Sequence, residues 1–171
     1  MSMVELPPRS ERLVLMGVAG CGKSSVGAAL SARIGLPYRD GDDQHPAENV
    51  AKMRRGEPLT DDDRWPWLAL VGHALAPGPM IIGCSALKRR YREAITRTAG
   101  HPVTFIHLSG SRGVIEARMQ ARKGHFMPLS LLDSQFAALE PPAPDENAFA
   151  VDIDQDLSAI VDAIVAKLLN R

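Results

Sequence analysis

The chain has little of what marks several common protein classes. Its only cysteines are Cys21 and Cys84, too few for the disulfide framework of a secreted domain, so a reducing, cytoplasmic setting is expected. It has no excess of either charge: 20 basic and 20 acidic side chains cancel. That argues against a partner such as nucleic acid bound by bulk charge, and leaves any positive site local. No apolar run approaches the ~18 residues of a membrane helix. The opening MSMVELPPRSER lacks the apolar centre of a signal peptide, so neither membrane nor leader is expected. With 171 residues, the chain can bury roughly two thirds of its unfolded surface in one core. One domain over 1–171 is expected, with 1–11 as a tail.

What is present is a complete phosphate-binding pattern. Gly17-Val18-Ala19-Gly20-Cys21-Gly22-Lys23-Ser24 matches G-x-x-x-x-G-K-S/T. Glycines let successive backbone N–H groups turn toward a polyphosphate, Lys23 reaches the β and γ phosphates, and the Ser24 hydroxyl can ligate Mg²⁺. Leu13 to Met16 reads as a buried strand before it. From Ser25 to Ile34, Val26, Ala29, Leu30 and Ile34 recur at helical spacing, so the loop feeds a helix N-terminus that favours anions. The chain is expected to bind a nucleoside triphosphate. Cys21 sits beside that helix N-terminus and Lys23, conditions that lower a thiol pKa, so alkylation that ATP prevents is expected.

Short β-like runs alternate with helical patterns, as in a parallel sheet covered on both faces. The strands are expected at Leu13 to Met16, Pro37 to Asp40, Met80 to Gly83, Val103 to Leu108 and Ala148 to Ile153. Leu157, Ile160, Val161, Ile164, Val165, Leu168 and Leu169 trace the apolar stripe of a last helix. In such a sheet ligands lie beyond the carboxyl ends of the strands. There the second strand ends in Asp40-Gly41-Asp42-Asp43. The third ends in Ile82-Gly83-Cys84-Ser85, without the carboxylate that many phosphate-loop proteins place at that point. Asp40 and Asp42 are therefore the acids left to hold Mg²⁺ and to accept a proton from an attacking hydroxyl. Pro66 is read as fixing a helix entry or bend between two packing anchors, Trp65 and Trp67.

The segment Asp40-Gly41-Asp42-x-x-His45-Pro46-x-x-Asn49-x-x-Lys52-Met53-x-x-Gly56-x-Pro58-Leu59-x-Asp61-x-Asp63-Arg64-x-Pro66-Trp67-Leu68 resembles the block that sets gluconate kinases apart from other small phosphate-loop kinases. The resemblance continues in Cys84-Ser85-Ala86-Leu87-Lys88-x-x-Tyr91-Arg92, Arg118-x-x-x-Arg122-x-Gly124-His125-Phe126, Gln135-Phe136-x-x-Leu139-Glu140 and Val151-Asp152-Ile153-Asp154-Gln155. It covers the whole domain. Two positions depart from the pattern: Cys21 stands where serine is common, and Glu93 follows Arg92 where aspartate is expected.

The resemblance implies a three-layer α/β kinase fold, with a five-stranded parallel sheet flanked by helices and a mobile lid at about 118–130. It implies ATP-dependent phosphorylation of D-gluconate on its 6-hydroxyl, with ATP and Mg²⁺, and a homodimer. Lys23, Asp42, Arg118 and Arg122 would act in catalysis. Gly17 to Ser25, Arg118, Arg122, Asp154 and Gln155 would bind the nucleotide, and Ser24 and Asp40 the metal. Asp40 and Asp42 could exchange roles. A carboxylate and a row of hydroxyls call for a guanidinium or ammonium with short polar groups. Arg64, Lys88 and Arg92 suit the carboxylate; Asp42, His45, Ser85 and the lid residue His125 complete the substrate set. Alternatives are a shikimate-kinase-like or adenylylsulfate-kinase-like enzyme, a nucleoside monophosphate kinase, and a nucleotide-switched binding module. Against these stand, respectively, Cys84 to Lys88 where a Gly-rich turn is expected, the Gly56 to Leu68 block, the absent acid after the third strand, and the lack of an N-K-x-D motif.

Overall fold

The structure, a computed structural model, describes residues 12–121 and 129–170. Five parallel strands form one sheet in the order β2-β3-β1-β4-β5. They are β1 Arg12–Met16, β2 Tyr38–Asp40, β3 Met80–Gly83, β4 Thr104–Ser109 and β5 Ala148–Asp152, each within a residue of its expected bounds. The helices are α1 Lys23–Ile34, α2 Ala47–Arg54, α3 Asp61–Leu75, α4 Arg89–Ala99, α5 Arg112–Ala121, α6 Leu129–Ala138 and α7 Leu157–Leu169.

β1 lies between β3 and β4, and its Leu13, Val14, Leu15 and Met16 are all fully buried. Side chains alternate across a strand, so Leu13 and Leu15 join the core beneath α1 and α7. Val14 and Met16 join the opposite core with α3 and α4. Burying each such side chain contributes about 1.5–3 kcal/mol. The stripe expected on α7 is present at Ile160, Val161, Ile164, Val165 and Leu168, whereas Leu157 and Leu169 at its ends are exposed.

α3 starts from a capping box. Thr60 Oγ1 accepts from the Asp63 N–H at 3.1 Å, and Asp63 Oδ2 accepts from the Thr60 N–H at 2.8 Å, which satisfies two orphan donors. Pro66 lies inside this helix, past its first turn. Of the entry or bend expected there, it is not the entry; its missing N–H removes one helical bond. Trp67 and Leu68 follow it into the core. The order of strands reverses about β1, so the segments leaving β1, β2 and β3 converge on one crevice at the carboxyl edge of the sheet.

Candidate active site

The loop from Gly17 to Gly22 leaves the end of β1 and enters α1. Its geometry needs glycine at the junction: Gly22, the N-cap of α1, has φ 97, a left-handed conformation that costs other residues about 1 kcal/mol or more. The Gly17 N–H donates to Ser85 O at 3.1 Å, which ties the loop to the segment after β3. Lys23 Nζ lies 3.1 Å from Gly17 O and 3.3 Å from Val18 O, so the ammonium sits over the loop at the head of α1. Burial opposes its charge, but Cys21, Asp42 and Asp40 around it outweigh that and hold its pKa above the ordinary lysine range. Ser24 and Ser25 are exposed on the first turn of α1. The free amides of that turn, the helix dipole and Lys23 together make a site for a polyanion.

The acid turn closes over this loop from β2. Asp40 Oδ1 accepts from the Asp42 N–H at 3.0 Å, and Asp40 Oδ2 lies 3.4 Å from Ser24 Oγ. The Gly41 carbonyl accepts from Trp67 Nε1 at 2.8 Å, which holds the turn against α3. A Cβ at Gly41 would stand 2.3 Å from Gly83 O, so the turn can lie this close to β3 only as glycine. Asp42 is open to solvent by surface area, yet it stands among many protein atoms at the floor of the cleft. That burial, with Asp40 and Asp43 nearby, raises its carboxyl above the usual range despite the charge of Lys23. A carboxylate so placed holds a proton more readily, as a proton acceptor should.

Between loop, turn and α3 lies a cleft of about 430 Å³ whose lining includes Lys23, Asp42, His45, Arg64, Ser85 and Gln135. The His45 ring stacks on Trp67, with centroids 3.9 Å apart and planes at 19°. Burial, and then the charge of Arg64, pushes His45 down to about 4, so the imidazole is neutral near pH 7. Arg64 Nη1 donates to Leu59 O at 2.6 Å and to Tyr91 Oη at 3.2 Å. Among the described residues its Nε and Nη2 form no hydrogen bond, which leaves half of the guanidinium fork to a ligand. Arg54, the last residue of α2, lines the same cleft and adds a cation that sequence reasoning did not select.

Lys88 does not line the cleft. Its ammonium is 4.0 Å from Asp61 Oδ1 and stands over the Tyr91 ring. Arg92 requires a larger correction. Far from offering itself to a carboxylate, it is 2% exposed and its fork is consumed inside the protein. Nε and Nη2 pair with Glu146 at 2.7 and 3.0 Å, Nη1 donates to Ala86 O at 2.9 Å, and Nη2 also reaches Glu140 O at 3.0 Å. Ala86 has φ 43, the one non-glycine residue with positive φ among those described. Arg92 thus secures the strained turn that presents Ser85 and Leu87 to the cleft. Cys21 is also corrected as an accessible thiol: it is fully buried, with its sulfur packed beneath Gly17.

Arg118 lies in the last turn of α5. Its Nη2 donates to Ile153 O and, at 3.4 Å, to Gln155 O, while Nη1 stands 3.7 Å from the position a Cβ would take on Gly22. It therefore bridges the phosphate loop and the turn after β5 that carries Asp154 and Gln155. That turn is held locally by Asp152: Oδ1 accepts from the Asp154 N–H at 2.8 Å, and its carbonyl from Gln155 Nε2 at 2.7 Å. Arg122 and His125, with the rest of the expected lid over 122–128, lie outside the described residues.

Two side chains at the site were matched in the sequence but given no role. Gln135, on α6, accepts the Ala19 N–H of the phosphate loop through Oε1 at 2.6 Å. Asn49, 4% exposed, bonds both His45 and Asp63. Apart from its block, its place four residues beyond His45 was the only signal; Gln135 had none outside its block.

No family model matches the chain. It is 44% identical over 158 residues to the gluconokinase of Gluconobacter oxydans, covering 90% of this chain and 88% of that one. A solved gluconokinase from Sinorhizobium meliloti shares 46% identity and superposes with a TM-score of 0.88, covering 96% of this chain and 94% of the other. The APS kinase of Mycobacterium tuberculosis, solved with AMPPNP and APS, gives a TM-score of 0.66 at 17% identity over 96% of this chain and all (100%) of that one, a likeness of fold alone.

Proposed function

This chain belongs to the gluconokinase family, and on that premise we propose that it transfers the γ-phosphoryl group of ATP to the 6-hydroxyl of D-gluconate, giving 6-phospho-D-gluconate. The observation that carries the reading is the convergence in one cleft of the phosphate loop, the Asp40-Gly41-Asp42 turn and the half-free Arg64. Phosphoryl transfer asks a protein mainly to align two reactants and to stabilise spreading negative charge. In this reading Lys23 and the loop amides hold the β and γ phosphates, and Arg118 with Asp154 and Gln155 borders the nucleotide. Arg64, assisted by Arg54, takes the carboxylate of gluconate. His45 and Ser85 meet its hydroxyls, and Asp42 orients the 6-hydroxyl and accepts its proton. Arg122 and His125 would complete the site from the lid.

A Mg²⁺ ion fits the oxygens of Ser24 and Asp40, which already face each other at 3.4 Å. Two protein oxygens are what such an ion takes when phosphates and waters supply the rest. When bound, the ion neutralises charge developing on the phosphates. That geometry favours Asp40 for the metal. The raised pKa of Asp42 and its place beside Lys23 in the cleft favour Asp42 as the base.

The proposal includes a cytoplasmic homodimer, in keeping with the free state of Cys21 and Cys84 and with the family resemblance. Among the described residues, no helix is long and apolar enough to cross a membrane. The test is ADP release measured over a panel of D-gluconate, shikimate, adenylylsulfate and nucleoside monophosphates. Only gluconate should stimulate strongly; a rate with gluconate no higher than with water defeats the reading.

A further inference from the structure

The hydrogen bonds around His45 decide more than its position. The amide nitrogen of Asn49 lies 2.9 Å from Asp63 O and 3.2 Å from His45 Nδ1. A backbone carbonyl only accepts, so the Asp63 contact fixes which end of the Asn49 amide is nitrogen. That nitrogen brings its second N–H to His45 Nδ1, which must then be the ring's unprotonated nitrogen. The proton of the neutral imidazole is left on Nε2. Asn49 cannot readily turn away: it is 4% exposed, and Asp63 is itself held by Lys52 Nζ at 2.8 Å and by the capping box of α3. The ring plane is fixed as well, because His45 stacks on Trp67 and Trp67 is tied to Gly41 O at 2.8 Å.

We propose that Asn49 is a positioning residue that locks His45 in the Nε2–H tautomer, making His45 a neutral hydrogen-bond donor to a hydroxyl oxygen of the acceptor. The assignment divides the recognition of an alcohol between two cleft residues. Asp42 accepts the hydroxyl proton, and His45 donates to an acceptor oxygen beside it without adding a further positive charge to a cleft that already holds Lys23, Arg54 and Arg64. A deoxy acceptor would leave a half-buried donor unpaired, which is how a site built for hydroxyls rejects analogues that lack them. The inference rests on the gluconate reading only for the identity of the alcohol; the tautomer belongs to the free protein.

The test therefore has two arms. Nitrogen NMR of the full chain with ¹⁵N-histidine should show His45 protonated at Nε2 and bare at Nδ1. In Asn49→Asp a carboxylate would instead accept from Nδ1–H, and the bare nitrogen should change. Steady-state kinetics on the same variant should show KM for gluconate raised about tenfold, the worth of one hydrogen bond, with KM for ATP within about twofold. Because Asn49→Asp could damage folding, a pair at the ring supplies a second reading. In His45→Gln the side-chain amide nitrogen reaches toward the place of Nε2, and in His45→Asn toward that of Nδ1, so Gln should keep gluconate KM nearer to wild type. A protonated Nδ1 in the wild-type protein, or equal gluconate KM in the Gln and Asn variants, overturns the proposal. If the tautomer is as stated and gluconate is no substrate, the functional reading fails and the positioning role of Asn49 stands.

Discussion

The phosphate loop keeps its shape mainly through backbone, with side-chain ties from Gln135 and Lys23: Gly17 N–H on Ser85 O, Cys21 N–H on Val18 O, and the left-handed Gly22 at the head of α1. The opposite wall of the cleft keeps its shape through side chains that hold one another and the backbone of the turns. Lys52 binds Asp63, Asn49 spans Asp63 O and His45, His45 lies on Trp67, and the post-β3 turn hangs on Arg92 and Glu146. The difference follows from what each wall must recognise. A polyphosphate is bound well by repeated N–H donors, which any sequence supplies once glycines shape the turn. An acceptor with a carboxylate and hydroxyls needs donors and acceptors at distinct points, and those must be fixed one by one. Damage to the first wall should therefore stop chemistry in a folded protein, whereas damage to the second should loosen the fold and weaken acceptor binding together.

The largest expected effect lies on the phosphate wall. Lys23→Ala should lower kcat by about 10³-fold, the scale of removing one preorganised charge-stabilising donor, while thermal unfolding changes little. Near-normal kcat would remove Lys23 from the transfer step. The matching break on the acceptor wall is Glu146→Ala, which leaves the guanidinium of Arg92 buried with its partner gone. Such uncompensated charges cost about 3–5 kcal/mol, and the pair is only 2% and 10% exposed. Denaturant unfolding should show that loss, and gluconate KM should rise more than ATP KM as the Ala86 turn relaxes. Replacing both partners with Met and Leu should restore much of the stability, since apolar side chains leave no orphan charge.

Asp42→Asn tests the point where the walls meet. It should lower kcat by about 10²-fold, the modest end of general-base effects, with ATP binding by equilibrium titration nearly unchanged. A loss confined to ATP affinity would instead give Asp42 the metal and Asp40 the proton.

The two walls were unequally legible in the sequence. The strands could be read because short apolar runs alternate with longer helical patterns, and the phosphate loop because its residues are contiguous and each spacing has a mechanical reason. The acid turn was readable once β3 was seen to end without a carboxylate. Arg92 was misread because a sequence shows charge and not burial: its partner Glu146 lies 54 positions away. Gln135 reaches Ala19 across 116 positions, a contact that no local pattern encodes. Cys21 failed for the same reason, since a helix N-terminus and a lysine beside a thiol say nothing of the Gly17 backbone that covers it.

The smallest effect separates the walls by pH. Burial and Arg64 depress His45 from 6.5 to about 4 in the folded protein. A depressed histidine contributes stability that is present above pH 6.5 and is lost as pH falls toward 4, because the unfolded chain takes up the proton first. Asp42 works in the opposite sense: its raised pKa favours the folded state as the medium becomes acidic. Asp63, held down to about 2 first by the Lys52 hydrogen bond, stays charged through this window. Wild-type stability against pH would therefore mix opposed contributions, with His107, lowered by burial and then by Arg92, acting in the same sense as His45. His45→Gln removes one of them and keeps the rest, so the difference between the two proteins isolates His45. Thermal unfolding should show wild type ahead of His45→Gln by a margin that narrows as pH falls from 6.5 toward 4 and is flat above 7. A margin independent of pH would mean that His45 titrates as in the unfolded chain, and the acceptor wall would then be wetter than its packing implies.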